Sequence, residues 1–355
     1  MPYSKIVQSI PSMVPFVAPE ELEERLGSPF LLRLGANESP FGSSSFAVKG
    51  AKAALETLQN YADPRALELR GAFSKKLGVP IESIVLGSGI DELLSLFCRL
   101  FLNPGDTVVT TLGSYPTFDF AVLGTGATLQ RIPYRDDKPD LTSLSEAAQG
   151  AKIVYLANPD NPSGWFHDSE TISAFIKSLP PNCVLLLDEA YIEFLTEATP
   201  LSFAETPGNV VRLRTFSKMF GIAGLRLGYA VTAPEHVAQL DKIRLHFGIN
   251  SVAQAAGLMA LQHFGHTILI REKNRQCRET LYEMGRRRGF EPLPSYTNFV
   301  TFDCGTKEQA EAQLNQLLEA RVFIRKPSQP PLDRCIRITI GTAEHLELLD
   351  ALWSV

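Results

Sequence analysis

At 355 residues the chain is longer than one hydrophobic core usually serves, which predicts a large domain with a smaller one beside it. Hydrophobic residues make up 45%, enough for a sizeable core, yet no apolar run approaches the length of a membrane span. A net charge of −5 carries no block of like sign, which argues against both a nucleic-acid stripe and a membrane-surface patch.

In chain order, residues 1–35 carry Pro2, Pro11, Pro15, Pro19 and Pro29 and one short helical stretch, Pro19 to Leu26. They predict an arm that packs on the small domain or on a partner subunit. Leu34 to Gly42 is rich in turn formers and reads as a loop at a domain edge, followed by helices over roughly 45–59 and from Leu67. Short apolar runs then alternate with helical patterns: Ile84-Val85-Leu86, Thr107 to Thr110, Ile153 to Leu156, Val184 to Leu187, Val210 to Leu213 and Leu227 to Val231. Continuous apolar runs separated by helices mark strands buried on both faces, so residues 36–240 are expected to form an α/β domain, a mainly parallel sheet sandwiched by helices. Beyond 240 a long helical stretch gives way to Asn298 to Phe302, a helix near 307–320, Val322 to Arg325 and Cys335 to Ile340. That texture predicts a smaller α+β domain over 241–355. The five cysteines show no paired metal spacing, and the first residues no charged-then-apolar leader; a cytoplasmic protein without a metal is expected.

In a doubly wound sheet ligands gather at the carboxyl ends of the strands. Val210 to Leu213 leads to Thr215, Ser217 and Lys218, then to Arg226. A lysine in a loop is more often a solvated one, but at the end of a buried strand it loses water, its pKa falls and it becomes an amine nucleophile. The hydroxyls and the guanidinium beside it suit a phosphate. Val184 to Leu187 delivers Asp188, expensive to bury without a partner, with Tyr191 three residues on. Asn158-Pro159-Asp160-Asn161-Pro162-Ser163-Gly164 follows another strand, and Gly87-Ser88-Gly89-Ile90-Asp91-Glu92 joins a strand to a helix whose first amides suit a phosphate. No third glycine of a dinucleotide fingerprint and no Gly-Lys-Ser/Thr loop accompanies them. One small molecule needs the whole set: pyridoxal phosphate offers an aldehyde, a pyridine nitrogen kept protonated by a carboxylate, a phenolic oxygen and a phosphate.

The order of these motifs is similar to that of fold-type I pyridoxal-phosphate aminotransferases, and most like the histidinol-phosphate aminotransferase group. Ala36-Asn37-Glu38-Ser39-Pro40-Phe41-Gly42, Tyr61-Ala62-Asp63-Pro64, Asn250 to Ala256 and Arg337 to Thr342 extend the likeness over nearly the whole chain. The resemblance implies that Lys218 anchors the cofactor and moves the substrate proton, and that Asp188 pairs with the ring nitrogen. It implies Asn161 and Tyr191 at the phenolic oxygen, and Ser217, Arg226 and the amides near Asp91 and Glu92 at the phosphate. Phe118 falls where the family stacks a ring on the cofactor, and Tyr61 where a tyrosine reaches the partner subunit's phosphate in a homodimer. Arg337 and Asn37 match substrate positions, Arg337 receiving an α-carboxylate, while Arg325 matches a position that binds the donor phosphate or a distal carboxylate.

The implied reaction is transamination between histidinol phosphate and 2-oxoglutarate, in histidine biosynthesis. Two stretches depart from the family pattern. Pro15-Phe16 replaces a frequent Pro-Tyr whose hydroxyl meets the donor phosphate, and Leu245 to Asn250 differs from a Pro-Tyr-Asn-rich segment. Both favour, as an alternative, an aminotransferase for aromatic or other amino acids. A decarboxylase similar to threonine-phosphate decarboxylases is a further alternative, and a non-catalytic cofactor-binding regulator another, the last disfavoured by the complete lysine, aspartate, tyrosine and arginine set.

Overall fold

A computed structural model describes residues 2–12, 17–196 and 198–354, so Pro15-Phe16 lies outside the described residues. The strands are β1 Leu32–Arg33, β2 Ile84–Gly87, β3 Thr107–Thr111, β4 Thr128–Ile132, β5 Ile153–Ala157, β6 Val184–Asp188, β7 Val210–Thr215, β8 Gly228–Val231, β9 Glu291–Pro292, β10 Phe299–Asp303, β11 Val322–Phe323 and β12 Cys335–Thr339. Seven of them form one sheet in the order β2-β8-β7-β6-β5-β3-β4. Neighbours from β7 through β4 run parallel, while β8 is antiparallel to both β2 and β7. The expected α/β sheet is therefore present, with β2, β5, β6 and β7 ending on the same edge.

Every residue of β5, β6 and β7 is buried, as helices on both faces require. Val108, Ile153, Leu186 and Leu213 pack under Leu93 and Phe97 on one face; Val109, Val154, Leu185 and Val210 pack under Ile172 and Phe175 on the other. The edge strand β4 went unpredicted because its Thr-Leu-Gln-Arg-Ile sequence is partly solvated throughout and offers no apolar run.

The smaller unit holds the antiparallel sheet β12-β10-β9 and the two-stranded parallel pair β1-β11. Leu32 and Leu34 of the arm enter its core beside Ile338, Phe302 and Trp353. Chain order groups 241–355 with this unit, and the first helix of that stretch also packs on the large sheet's layer. The helix Ser251–Gln262 buries Ala253, Ala256 and Ala260 in the core that holds Phe73, Phe216 and Tyr229 of the large sheet's layer. Its alanines and Gly257 permit that approach, since a Cβ on Gly257 would stand 2.4 Å from Leu227. Among the described residues no helix is long and apolar enough to cross a membrane.

Candidate active site

Strand β7 closes on Thr215, whose hydroxyl donates to Ser217 Oγ at 3.0 Å and accepts from the Ser217 amide at 3.1 Å. Arg226, held in a left-handed conformation at φ 54°, donates to the same Ser217 Oγ at 3.2 Å and meets Asp91 Oδ2 at 3.3 Å. Asp91 sits in the first turn of the helix Gly89–Phe101, whose leading amides have no intrahelical acceptor. Gly89 is required here: at φ 82° it brings the helix start so near Arg226 that a Cβ would lie 2.3 Å from Nη2. A helix N-terminus, two hydroxyls and a guanidinium thus converge, which is the donor set of a phosphate cradle. The Glu92 carboxylate accepts from the Ser88 amide and so fixes the turn that leads into this helix start.

Lys218 follows this loop. Its Nζ donates to the Ala36 carbonyl at 3.1 Å and lies 5.9 Å from the Tyr191 ring centre. Loss of water pulls its pKa down to about 8, with Arg337 and Arg226 pressing the same way and Glu38 and Asp91 opposing.

Asp188, 5% exposed, ends β6 one strand away. Tyr155 donates its hydroxyl to Asp188 Oδ2 at 2.7 Å, and the Ala190 amide donates to Oδ1 at 2.9 Å. Burial still raises the carboxyl to about 6. Beyond it, Asn37 Nδ2 donates to the Tyr191 hydroxyl at 3.0 Å, and Arg337 donates to Asn161 Oδ1 and, at 3.1 Å, to the Gly35 carbonyl. Asn37 owes its position to a left-handed turn at φ 54° and to Thr339, which bonds both its amide and its Oδ1 at 3.1 Å. The cleft therefore joins the arm loop, three ends of the large sheet and β12.

Among the described residues no cation pairs with Asp188 and no carboxylate with Arg337, whose Nε is buried without a hydrogen-bond partner. A buried carboxylate lacking a cation, an amine of lowered pKa and an anion cradle fit pyridoxal phosphate. Its protonated ring nitrogen would meet Asp188, its aldehyde Lys218 and its phosphate Ser217, Arg226 and the helix start.

Comparison with known proteins agrees. The family model described as aminotransferase class I and II matches residues 30–352. A histidinol-phosphate aminotransferase of Moorella thermoacetica is 33% identical over 346 residues, covering 96% of this chain and 89% of that protein. One from Symbiobacterium thermophilum is 35% identical over 343 residues, covering 96% and 94%. The crystal structure of histidinol-phosphate aminotransferase from Sinorhizobium meliloti in complex with pyridoxal-5'-phosphate superimposes with a TM-score of 0.95 at 38% identity, covering 99% of this chain and 96% of that one. The chain belongs to the class I and II aminotransferases.

Within this aminotransferase the structure brings Lys218, Asp188, Tyr191, Asn161, Asn37, Ser217, Arg226, Asp91 and Arg337 to one cleft. Phe118 is a correction. It is 0% exposed and stacks on Tyr155 with ring centres 4.2 Å apart, leaving no face for a cofactor. The half-buried aromatic ring at that wall is Tyr115, whose hydroxyl donates to Asp91 Oδ1 at 2.8 Å. Arg325 is tied to Arg337 by reciprocal backbone bonds of 3.1 and 2.7 Å, and its Nη2 donates to the Val17 carbonyl at 2.9 Å, so it also holds the arm. Tyr61 stands apart, 85% exposed and packed on Phe247 at 4.7 Å. Sequence reasoning missed Tyr155 and Asp160. The signal for Tyr155 is a lone hydroxyl inside the apolar run of β5; Asp160, buried under the Tyr134 hydroxyl and Ser163, shapes the Asn161 turn.

Proposed function

We propose that this aminotransferase uses pyridoxal phosphate to move the amino group of histidinol phosphate onto 2-oxoglutarate, as a step of histidine biosynthesis. The observation that carries the reading is the conjunction of Lys218, Asp188 and Arg337, each lacking an opposite-charge hydrogen-bonded partner among the described residues, in one cleft. When bound, the cofactor supplies an electron sink for the pair left behind as the donor loses its α-proton. Lys218 first anchors the cofactor by its amine, which a pKa near 8 keeps partly neutral at physiological pH. With the donor amine in its place, the freed Nζ would take the donor's α-proton and hold it for delivery to the carbon that carried the cofactor's aldehyde. Asp188 keeps the ring nitrogen protonated. Tyr191, raised to about 12 chiefly by burial, stays a donor and, with Asn161, meets the phenolic oxygen.

Arg337 and Arg325 are locked side by side at β12 and the end of β11, so a common basic wall meets the donor's phosphate in one half-reaction and the acceptor's carboxylates in the next. Domain organisation follows the same logic, the arm and the small unit closing over a large unit that holds the cofactor.

Tyr61 supports a homodimer with shared sites. It packs on Phe247 with ring centres 4.7 Å apart, and both rings are more than half exposed, apolar surface suited to burial against a second copy.

The test is a half-reaction screen that follows the cofactor spectrum with histidinol phosphate, phenylalanine, tyrosine and glutamate side by side. Fast conversion by histidinol phosphate and glutamate is expected. Faster conversion by phenylalanine or tyrosine would move the assignment to the aromatic reading that Phe16 favours. Lys218→Ala is expected to abolish turnover, and retained turnover sinks the mechanism.

A further inference from the structure

Asp188 faces an electrostatic problem that its immediate surroundings resolve in an unusual way. A buried carboxylate is normally held ionised by a cation. Here the bonded donors are neutral: the Tyr155 hydroxyl at 2.7 Å and the Ala190 amide at 2.9 Å. A neutral donor favours the ionised form without cancelling its charge, so the full negative charge remains available to whatever the carboxylate next meets. Tyr155 reaches it by register. Ala157 of β5 lies opposite Asp188 of β6, and Tyr155, two residues back on the same face as Ala157, extends along the strand to the carboxylate. Its ring is 1% exposed and lies flat against Phe118, centres 4.2 Å apart and planes 19° apart. Phe118, on the helix Pro116–Leu123, is itself fully buried in the core that holds Leu93, Phe97 and Val122.

We infer that Tyr155, braced by Phe118, is a positioning residue that keeps Asp188 ionised and aimed at the cofactor's ring nitrogen, so that Phe118 serves the cofactor through Tyr155 and not by stacking on it. Other titratable groups bear on Asp188: Glu189 and Asp91 oppose its ionisation electrostatically, and Tyr155 is the side chain that donates to it. Removing that hydroxyl leaves a buried carboxylate with one backbone donor and two acidic neighbours. It then takes up a proton more readily, and a protonated Asp188 cannot balance a protonated ring nitrogen.

The inference rests on the proposed use of pyridoxal phosphate, and its test separates the two. Cofactor affinity is measured from pH 5 to 9 by titrating apoprotein with pyridoxal phosphate, for the wild type, Tyr155→Phe and Phe118→Leu. Tyr155→Phe keeps shape and burial and is expected to bind roughly ten- to a hundredfold more weakly near neutral pH, the net worth of a hydrogen bond to a charged group. The acid limb of its affinity profile should move up by about one pH unit. Phe118→Leu should move the same limb by less, and the double variant should shift no further than Tyr155→Phe alone. The ring-nitrogen 15N shift of labelled cofactor, read in the same proteins, should move toward the unprotonated value in Tyr155→Phe. A purely structural role would lower melting temperature and leave the acid limb and the nitrogen shift in place, which overturns the inference. If the wild type binds no pyridoxal phosphate, the functional reading itself fails. If it binds and Tyr155→Phe matches it at every pH, only the role of Tyr155 fails.

Discussion

Asp188 and Glu189 are neighbours in sequence and almost equally buried, at 5% and 2% exposure, yet they sit in opposite electrostatic worlds. The alternation of a strand end sends them to opposite faces of the sheet. Glu189 is gripped by Arg212, with contacts of 2.6 to 3.1 Å, and by Arg214 Nε at 2.8 Å, and the Arg212 guanidinium stacks on the ring of Phe203. Despite complete burial its pKa is lowered, because two guanidinium groups outweigh desolvation. Asp188 has only neutral donors, and burial lifts it to about 6. The difference separates two kinds of buried carboxylate: Glu189 has its counter-charge built into the fold, and Asp188, in the proposed reading, leaves it to the cofactor.

The largest effect is expected where the built-in pair is broken. Glu189→Gln strands Arg212 in the core and should lower unfolding free energy by about 3–5 kcal/mol, checked by denaturant titration. If stability holds, the pair is no more than decoration and the contrast with Asp188 collapses. Asp188→Asn should do the reverse. Stability of the cofactor-free protein stays level or rises, because an uncompensated charge is gone, while kcat falls roughly a hundred- to a thousandfold with the loss of electrostatic stabilisation at the ring nitrogen. Equal activity in Asp188→Asn would erase the functional half of the comparison.

pH sharpens the contrast by sign. Asp188 binds its proton more tightly folded than unfolded, with about 6 against an ordinary 3.8, so its contribution makes the apoprotein less stable as pH rises through that window. Asp160, also raised to about 6, and Glu193, raised to about 7, carry the same sign. Glu189, lowered from 4.5, contributes stability that is present above that value and lost as pH falls below it. Urea midpoints measured across pH 4 to 7 should therefore slope less in Asp188→Asn than in the wild type, by a difference of order 1–3 kcal/mol across the window. The smallest expected change concerns Lys218. With a pKa near 8 its amine gains neutral fraction about tenfold between pH 6 and 7, and the rate at which apoprotein takes up pyridoxal phosphate should follow until it levels above pH 8.

Much of this was legible beforehand. Apolar runs such as Val184 to Leu187 announce doubly covered strands, and polar residues at their ends, Asp188 and Lys218 among them, announce a site. These are local signals, carried by periodicity and by the cost of burying charge. Asn37 and Arg337 were legible only through motif resemblance, since Asn37 is held in the cleft by Thr339, 302 residues away in sequence and two past Arg337 on β12. Phe118 was misassigned because four consecutive residues, Tyr115 to Phe118, hold two aromatic rings, and chain order does not say which turns toward the cleft.

The sequence by itself determined the layered α/β architecture and, through the order of its motifs, the family, and it put an amine, a carboxylate and two hydroxyls at strand ends as candidates for one site. Only the tertiary structure decided which charges are compensated. Strand register sets Tyr155 against Asp188, and the sheet's two faces part Asp188 from Glu189. The helix Ser251–Gln262 joins the large core because its small residues fit there. Those outcomes depend on distances between residues far apart in the chain, and electrostatic energy in a buried site is set by such distances.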